Sequence, residues 1–389
     1  MTTTDASVFD CDSHVLEPAA IWEQHLDPEY RVPARSAFYY HLDDSGLSTV
    51  ILNGKPAKPL HTSGIVRQAI WKPGMTVDDI GSLDPKQPHP INPGAYDPNA
   101  RLKDMDTLGV QRSLIFPTAF AEYFPVVENP DLAYALARAY NDWVREFASA
   151  APDRLFPAAI LPMQDLSFAL AEARRVTANG FKAVFLRPSF YEGRFLNHPS
   201  YNPLWAALES LGLAAFIHPS PGSTNPEWTS EGPFVERVAK AMMIGHNIAE
   251  VVAPEMDNAT ALTAFAFFGH MEEYPNLKLG YAHSGAAWVT LALEKSETYM
   301  SLLSNIRDVS LHPSEIFFQR QSLVTFDAWE STVPRLHDVY ANVAAWGSRY
   351  PQHDATTPQE ARDHLEQYGV PGDVIASLMG GNAARFLGL

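Results

Sequence analysis

Eight short apolar runs, separated by longer amphipathic segments, constrain this chain more than any other feature. They are Val8–Asp12, Ser113–Phe116, Leu155–Leu161, Phe181–Leu186, Leu213–Ile217, Leu277–Ala282, Leu323–Phe326 and Val339–Trp346. Runs of this length with little polar alternation read as strands buried on both faces. Between them, segments such as Asp131–Ala150, Phe168–Asn179 and Tyr201–Leu211 carry helical periodicity, and Asn179-Gly180 supplies a left-handed stop before the next strand. Strand and helix alternating eight times predict an α/β fold with a parallel sheet, most simply closed as a (β/α)8 TIM-like barrel. A doubly wound open sheet is the alternative, but no G-x-G-x-x-G follows the first run.

Residues 30–97 interrupt this pattern. Pro33, Pro56, Pro59, Pro73, Pro85, Pro88, Pro90 and Pro93 fall there with Gly46, Gly54, Gly64, Gly74 and Gly94, a content that forbids a mostly helical segment. The apolar piece Leu47–Leu52 followed by Asn53-Gly54 reads as a hairpin turn. We expect a single domain over 1–389, with 30–97 as a long Pro/Gly-rich insertion after the first strand. Insertions of that length commonly act as lids or binding surfaces.

Charge and cysteine content exclude several classes of function. The 389 residues hold 28 Lys and Arg against 45 Asp and Glu, a formal net charge of −17. That balance excludes nucleic acid and anionic membrane surfaces as partners, which require clustered basic residues. The one cysteine, Cys11, rules out an intrachain disulfide framework and suits a reducing cytoplasm. No run of about 18 apolar residues is present, so no membrane span is expected. Phosphate-binding glycine loops, a Gly-x-Ser-x-Gly elbow and Cys-x-x-Cys pairs are also missing.

In a barrel of this kind the chemistry sits where the strands end. The first run closes as Asp10-Cys11-Asp12-Ser13-His14, followed by Glu17-Pro18; the fifth ends in His218 and the sixth in His283-Ser284-Gly285. Strand alternation places Asp10, Asp12 and His14 on one side. Two carboxylates and an imidazole sharing a face call for a cation, although a hydrogen-bonded cluster or a helix cap is the bland reading. Three histidines converging from three strand ends favour a metal. His246 and Glu250, four apart in a helical stretch, share a face; they are second-metal candidates or simply an exposed polar face. Arg187 after the fourth run and Arg349 after the eighth suit a carboxylate or phosphate on the substrate, or neutralise acidic neighbours. Trp71 and Tyr123 are candidates to line an apolar substrate pocket, or they pack their own loops down.

Asp12-Ser13-His14 with Glu17-Pro18, then His218, then Tyr274-Pro275-Asn276-Leu277 through His283-Ser284-Gly285, and the closing Gly381–Leu389 segment together resemble the amidohydrolase-related family. This is the branch of the amidohydrolase superfamily that includes aminocarboxymuconate semialdehyde decarboxylase. Phe181–Pro188 is similar to that family's fourth strand, and the resemblance covers the chain outside 30–97. It implies a metal at the barrel mouth held by Asp12, His14 and His218 with His283 close by, and a homo-oligomer.

One departure stands out. The family's eighth strand carries a Ser-Asp-Tyr-Pro-His-like segment whose Asp binds metal and relays a proton, whereas this chain reads Gly347-Ser348-Arg349-Tyr350-Pro351-Gln352-His353-Asp354. A guanidinium is neither ligand nor base, and His353 or Asp354 would have to substitute. Asp12, His14 and His218 form a two-histidine, one-carboxylate set of the type used by oxygen-activating iron. Asp10, Glu17, His283, His353 or Asp354 could complete a second metal site. One member of this family is a di-iron monooxygenase, and the altered eighth run is compatible with it.

The first expectation is therefore a non-haem iron monooxygenase, with two ions, acting on a hydrophobic, carboxylated or carrier-linked small molecule. It would require a separate ferredoxin-type or reductase electron donor. In it His283, Arg349 and Asp354 serve the chemistry, and Asp10, Asp12, His14, Glu17, His218, His246, Glu250 and His283 form the pool of metal ligands. The alternative is a zinc- or manganese-dependent hydrolase or non-oxidative decarboxylase. A non-catalytic binding barrel is the third reading, disfavoured by the intact first- and fifth-run ligand pattern.

Overall fold

The computed structural model describes residues 7–18, 20–42, 48–52, 54–56, 69–84, 87, 89–219, 247–303, 312–319 and 322–389. Eleven strands are present among them: β1 (Phe9–His14), β2 (Phe38–Leu42), β3 (Ser48–Leu52), β4 (Lys55–Pro56), β5 (Arg112–Phe116), β6 (Leu155–Ile160), β7 (Ala183–Leu186), β8 (Ala214–Ile217), β9 (Leu279–Tyr281), β10 (Ser322–Phe326) and β11 (Ala344–Trp346). Eight of them form one parallel sheet in the order β1-β5-β6-β7-β8-β9-β10-β11. The last strand returns to the first. Arg349 donates its backbone N–H to the Asp12 carbonyl at 2.7 Å, and His14 donates to the Tyr350 carbonyl at 2.6 Å. The architecture is the α/β barrel that the eight runs predict.

Burial on both faces explains why the strands carry so few polar residues. Every residue of Ala183–Leu186 and Ala214–Ile217 is buried, since each strand faces side chains inside the barrel and helices outside it. The helices stop where glycine permits a left-handed turn: Pro98–Leu108 ends at Gly109 (φ 71°) and Asn202–Leu211 at Gly212 (φ 68°). They begin at polar caps, with Asp97, Asn129 and Asp165 each accepting backbone N–H bonds. The eighth run is the one misjudged in extent. Only Ala344–Trp346 is strand, while His337–Tyr340 forms a helical turn. Tyr340 and Val343 are both fully buried, and an apolar run alone does not separate a buried turn from a buried strand.

Outside the barrel, β2, β3 and β4 make a small antiparallel sheet. Leu52 pairs with Lys55, and Gly54 has φ 76°, a left-handed conformation of the kind tight hairpins use; Asn53 lies outside the described residues. Farther along, Ile70, Trp71 and Ile80 form a second apolar cluster against Tyr350. This cluster is tied to the barrel by the Trp71 N–H to Pro351 carbonyl bond (3.0 Å) and by Leu16 N–H to Ala95 carbonyl (2.9 Å). Among the described residues no helix is long and apolar enough to cross a membrane.

Inside the barrel β9 is thin because Gly280 lies under the Phe216 ring. A Cβ at Gly280 would sit 2.6 Å from two ring carbons of Phe216. Gly280→Ala is expected to cost about 1–3 kcal/mol through overpacking. Gly280→Ala with Phe216→Leu should recover part of the loss. Denaturant titration of both variants checks this, and an unchanged midpoint for the single variant would show that the barrel interior yields at this layer.

Candidate active site

Asp12 and His14 leave the end of β1, His218 follows β8 and His283 follows β9. Ligand atoms of His14, His218 and His283 lie within 4.8 Å of one another. Asp12 Oδ1 stands 3.3 Å from His14 Nε2 and 3.6 Å from His218 Nε2, and the two Nε2 atoms are 3.3 Å apart. The opposite ring nitrogens set the tautomers. His14 Nδ1 is 3.0 Å from the Pro117 carbonyl and His218 Nδ1 is 2.7 Å from the Pro219 carbonyl. A carbonyl only accepts, so both Nδ1 atoms carry hydrogen and, in the neutral rings, both Nε2 atoms present lone pairs. Two lone pairs and a carboxylate oxygen therefore converge on one point, and Asp12 Oδ1 is buried with no hydrogen-bond donor. Such an array repels itself unless a cation stands between its members. Backbone carbonyls that orient the histidines from behind are the usual outer support of a metal site.

The surroundings keep these groups in ligand form. Rings of Phe185 and Phe116 pack 5.2 and 5.3 Å from the His218 ring, giving a dry wall. Burial pushes the His218 imidazole below its ordinary pKa, and burial together with Arg349 holds His283 well below; a neutral imidazole is what a metal binds. Burial works against ionising Asp12; the His14 and His218 imidazoles, in the protonated form in which they donate to it, outweigh that and hold its carboxyl well below the usual range, and with neutral rings a bound cation plays the same part. The other Asp12 oxygen, Oδ2, accepts the His283 backbone N–H at 2.9 Å, and Thr325 Oγ1 lies 3.5 Å away. The chemistry of this donor set fits one divalent ion held by Asp12, His14 and His218 with His283 alongside.

Arg349 sits where the resemblance places a carboxylate, and both of its Nη atoms are engaged there. Nη1 donates to Asp354 Oδ2 at 2.6 Å, and Nη2 donates to Asp327 Oδ2 at 2.8 Å and to the His283 carbonyl at 2.9 Å. Burial opposes its charge, yet Asp327 and Asp354 hold it above its ordinary range. Both His283 (φ 70°) and Arg349 (φ 59°) occupy the left-handed backbone region, which residues with a Cβ adopt only where their surroundings impose it. The bond between them joins the two strained positions. Arg349 thus ties the ends of β9, β10 and β11 into one rim.

Several sequence-derived candidates have other duties. The bulge between Asp10 and Ser13 breaks the strict alternation of β1, and both Asp10 oxygens bond Ser348, at 2.9 Å to N–H and 2.5 Å to the hydroxyl. Glu17 receives the backbone N–H groups of Thr118 (2.8 Å) and Phe120 (3.3 Å) with its two oxygens, capping the short helix Ala119–Tyr123. Burial pushes the Asp354 carboxyl up, but Arg349 outweighs that and holds it below the usual range. Asp354 is a counter-ion, not a replacement ligand. His353 is half-buried, its Nδ1 3.9 Å from Asp354 Oδ1. Trp71 is buried edge-on against Tyr350 at 6.1 Å, and Tyr123 is buried as well; both pack rather than present a surface. Arg187 is buried directly after β7, its backbone N–H 3.3 Å from the Tyr191 hydroxyl. Glu250 falls in the first turn of the helix Asn247–Phe267, and His246 lies outside the described residues.

Two acidic residues at the same rim were not singled out from the sequence. Asp327 closes β10 as directly as His218 closes β8, and reading every residue that follows an apolar run would have found it. Burial raises its carboxyl to about 6, with Asp354 and Asp12 adding to the rise and Arg349 opposing it. Glu330 accepts the Ala286 N–H with both oxygens (2.9 and 3.0 Å), and burial raises it to about 7.

Comparison with known proteins places this arrangement. The amidohydrolase family model matches residues 87–389. The 2-amino-3-carboxymuconate-6-semialdehyde decarboxylase of Dictyostelium discoideum is 27% identical over 209 residues, 53% of this chain and 53% of that protein; the match spans about half of the relative's length. An amidohydrolase structure from Mycobacterium avium subsp. paratuberculosis superposes with a TM-score of 0.78 at 19% identity, covering 98% of this chain and 99% of the other. A 5-carboxyvanillate decarboxylase from Novosphingobium aromaticivorans, complexed with manganese, superposes with a TM-score of 0.67 at 17% identity over 99% and 97% of the two chains. Curated relatives overturn the expectation of an iron monooxygenase: the Dictyostelium protein and two further matches are named as decarboxylases, and none of the three as an oxygenase. The metal named in the 5-carboxyvanillate decarboxylase structure is manganese, and an electron donor was called for only by the oxygenase reading. With strand ends, metal-binding pattern and family model in agreement, the chain belongs to the amidohydrolase family.

Proposed function

We propose that this protein is a divalent-metal-dependent, non-oxidative decarboxylase of a conjugated carboxylic acid, such as a hydroxybenzoate or a carboxymuconate-like acid. The observation that carries the reading is the convergent Asp12, His14 and His218 donor set with a carboxyl, Asp327, at the same rim beside Arg349, where burial raises its pKa to about 6. Hydrolysis would need a base at the rim to take a proton from water, and Arg349 is a permanent cation at the eighth-strand position. Decarboxylation needs the reverse, a proton delivered to carbon.

Asp12, His14 and His218, with His283, would hold the ion; bound there, it supplies Lewis-acid polarisation and a template for the substrate's oxygen atoms. Phe116 and Phe185 exclude water from the inner wall. The Asp327 carboxyl gives its proton to the carbon that bears the substrate carboxylate. The bond from that carbon to the carboxylate then breaks, its electron pair returns to the conjugated system, and carbon dioxide leaves. Asp327, now ionised beside Arg349, recovers its proton from solvent. Arg349 keeps Asp327 in place and stabilises the ionised state in between.

Asp327→Asn should lower the rate of carbon dioxide release by about 100- to 10,000-fold while metal content stays unchanged. For the wild-type protein the acid form of Asp327 is the active one and its pKa is raised. Turnover at low substrate should therefore fall as pH rises through about 6, and the variant should lack that limb. A variant that keeps both rate and limb would remove Asp327 from the reaction. For the ion, His14→Ala and His218→Ala should each weaken manganese or zinc retention by more than the roughly 10- to 100-fold typical of losing an outer-layer partner. Elemental analysis after dialysis against a chelator reads this directly, and full retention in both variants would contradict the donor set.

A further inference from the structure

Among the described tryptophans, Trp329 is the one left in solvent: it is 53% exposed, whereas Trp22, Trp71, Trp143, Trp205, Trp288 and Trp346 are all buried. It stands at the barrel mouth, two residues after Asp327, and the turn that carries it is fixed. The Glu330 N–H donates to the Asp327 carbonyl at 3.0 Å, the Glu330 carboxylate holds the Ala286 N–H, and Arg349 Nη2 holds the Asp327 side chain at 2.8 Å. The Arg349 guanidinium lies over one face of the indole, 5.6 Å from the ring centre, and its same Nη2 reaches the His283 carbonyl at 2.9 Å. One face of Trp329 is thus occupied by a buried cation that also touches the metal-site backbone.

An exposed indole on a turn at the mouth of a site presents a large flat face on which a planar ring can stack. The cation behind the ring draws π density toward itself. The outer face is left suited to an electron-rich ring and unsuited to a second cation. The geometry points to Trp329 as the stacking platform for the substrate, which selects a hydroxylated aromatic or comparably planar conjugated acid over saturated acids of the same charge. This rests on the decarboxylase reading for its reaction, but the binding preference is measurable without turnover.

Isothermal titration of the manganese-loaded protein with salicylate and with trans-2-hydroxycyclohexanecarboxylate compares a planar and a saturated ring bearing the same substituents. The wild-type protein should prefer salicylate, and Trp329→Ala should erase that preference, weakening salicylate about two- to tenfold with the saturated acid and the metal content unchanged. Trp329→Phe should restore most of it. For any acid that is turned over, Trp329→Ala should raise KM at an unchanged kcat. The platform is refuted if Trp329→Ala keeps the wild-type ratio, or if it weakens both acids equally. If no acid releases carbon dioxide yet the preference vanishes in Trp329→Ala and returns in Trp329→Phe, the platform stands and the decarboxylase reading falls. Carbon dioxide release with an unaltered ratio would do the reverse, removing the platform and leaving the decarboxylase reading in place.

Discussion

Three acceptors face one another at the heart of this barrel. Asp12 Oδ1 and the Nε2 atoms of His14 and His218 lie within 3.6 Å, and the carbonyls of Pro117 and Pro219 hold both rings in that orientation from behind. No arrangement of these neutral rings and one carboxylate satisfies itself. The charge that reconciles them must be brought in, and the dry walls of Phe116 and Phe185 make its absence more costly. The strand order, the bulge in β1 and the close seat of β11 against β1 all serve to bring these atoms together.

Arg349 is the second organising group, and it reverses the polarity of the rim. A carboxylate at that position would draw metal and take protons; a guanidinium repels the one and cannot do the other. The chain places Asp327 one strand earlier instead, bonded to the guanidinium and held partly out of water. A buried cation flanked by Asp327 and Asp354 gives a rim that is close to balanced. The carboxyl with the higher affinity for protons is the one beside the exposed indole.

Much of this was legible from the pattern of residues. The eight runs are strands, and His14, His218 and His283 end three of them, because a parallel strand buried on both faces has nowhere to keep a polar residue except at its end. What escaped is equally physical. Period-two alternation put Asp10 with Asp12, but a bulge separates their duties and Ser348 takes Asp10. Glu17 reads as a ligand until Thr118 and Phe120 arrive from a hundred residues downstream to claim it. The expectation of iron rested on ligand types alone, and two imidazoles with a carboxylate suit several divalent ions. Arg349 was read as a loss of basicity; its meaning lies in Asp327 and the His283 carbonyl, partners that only the fold supplies.

The junction of β11 with β1 has a consequence for the order in which this protein matures. The Asp12 carbonyl and His14 N–H are held by Arg349 and Tyr350, and Gly347 lies so close to Asp12 that a Cβ there would stand 2.5 Å from the aspartate's own. The metal-binding residues of β1 are therefore among the last of the site to be set, since their backbone partners lie a whole circuit of the barrel later in the sequence. A nascent chain carries the donors without their final placement. Acquisition of the ion thereby becomes a late event that marks a closed barrel.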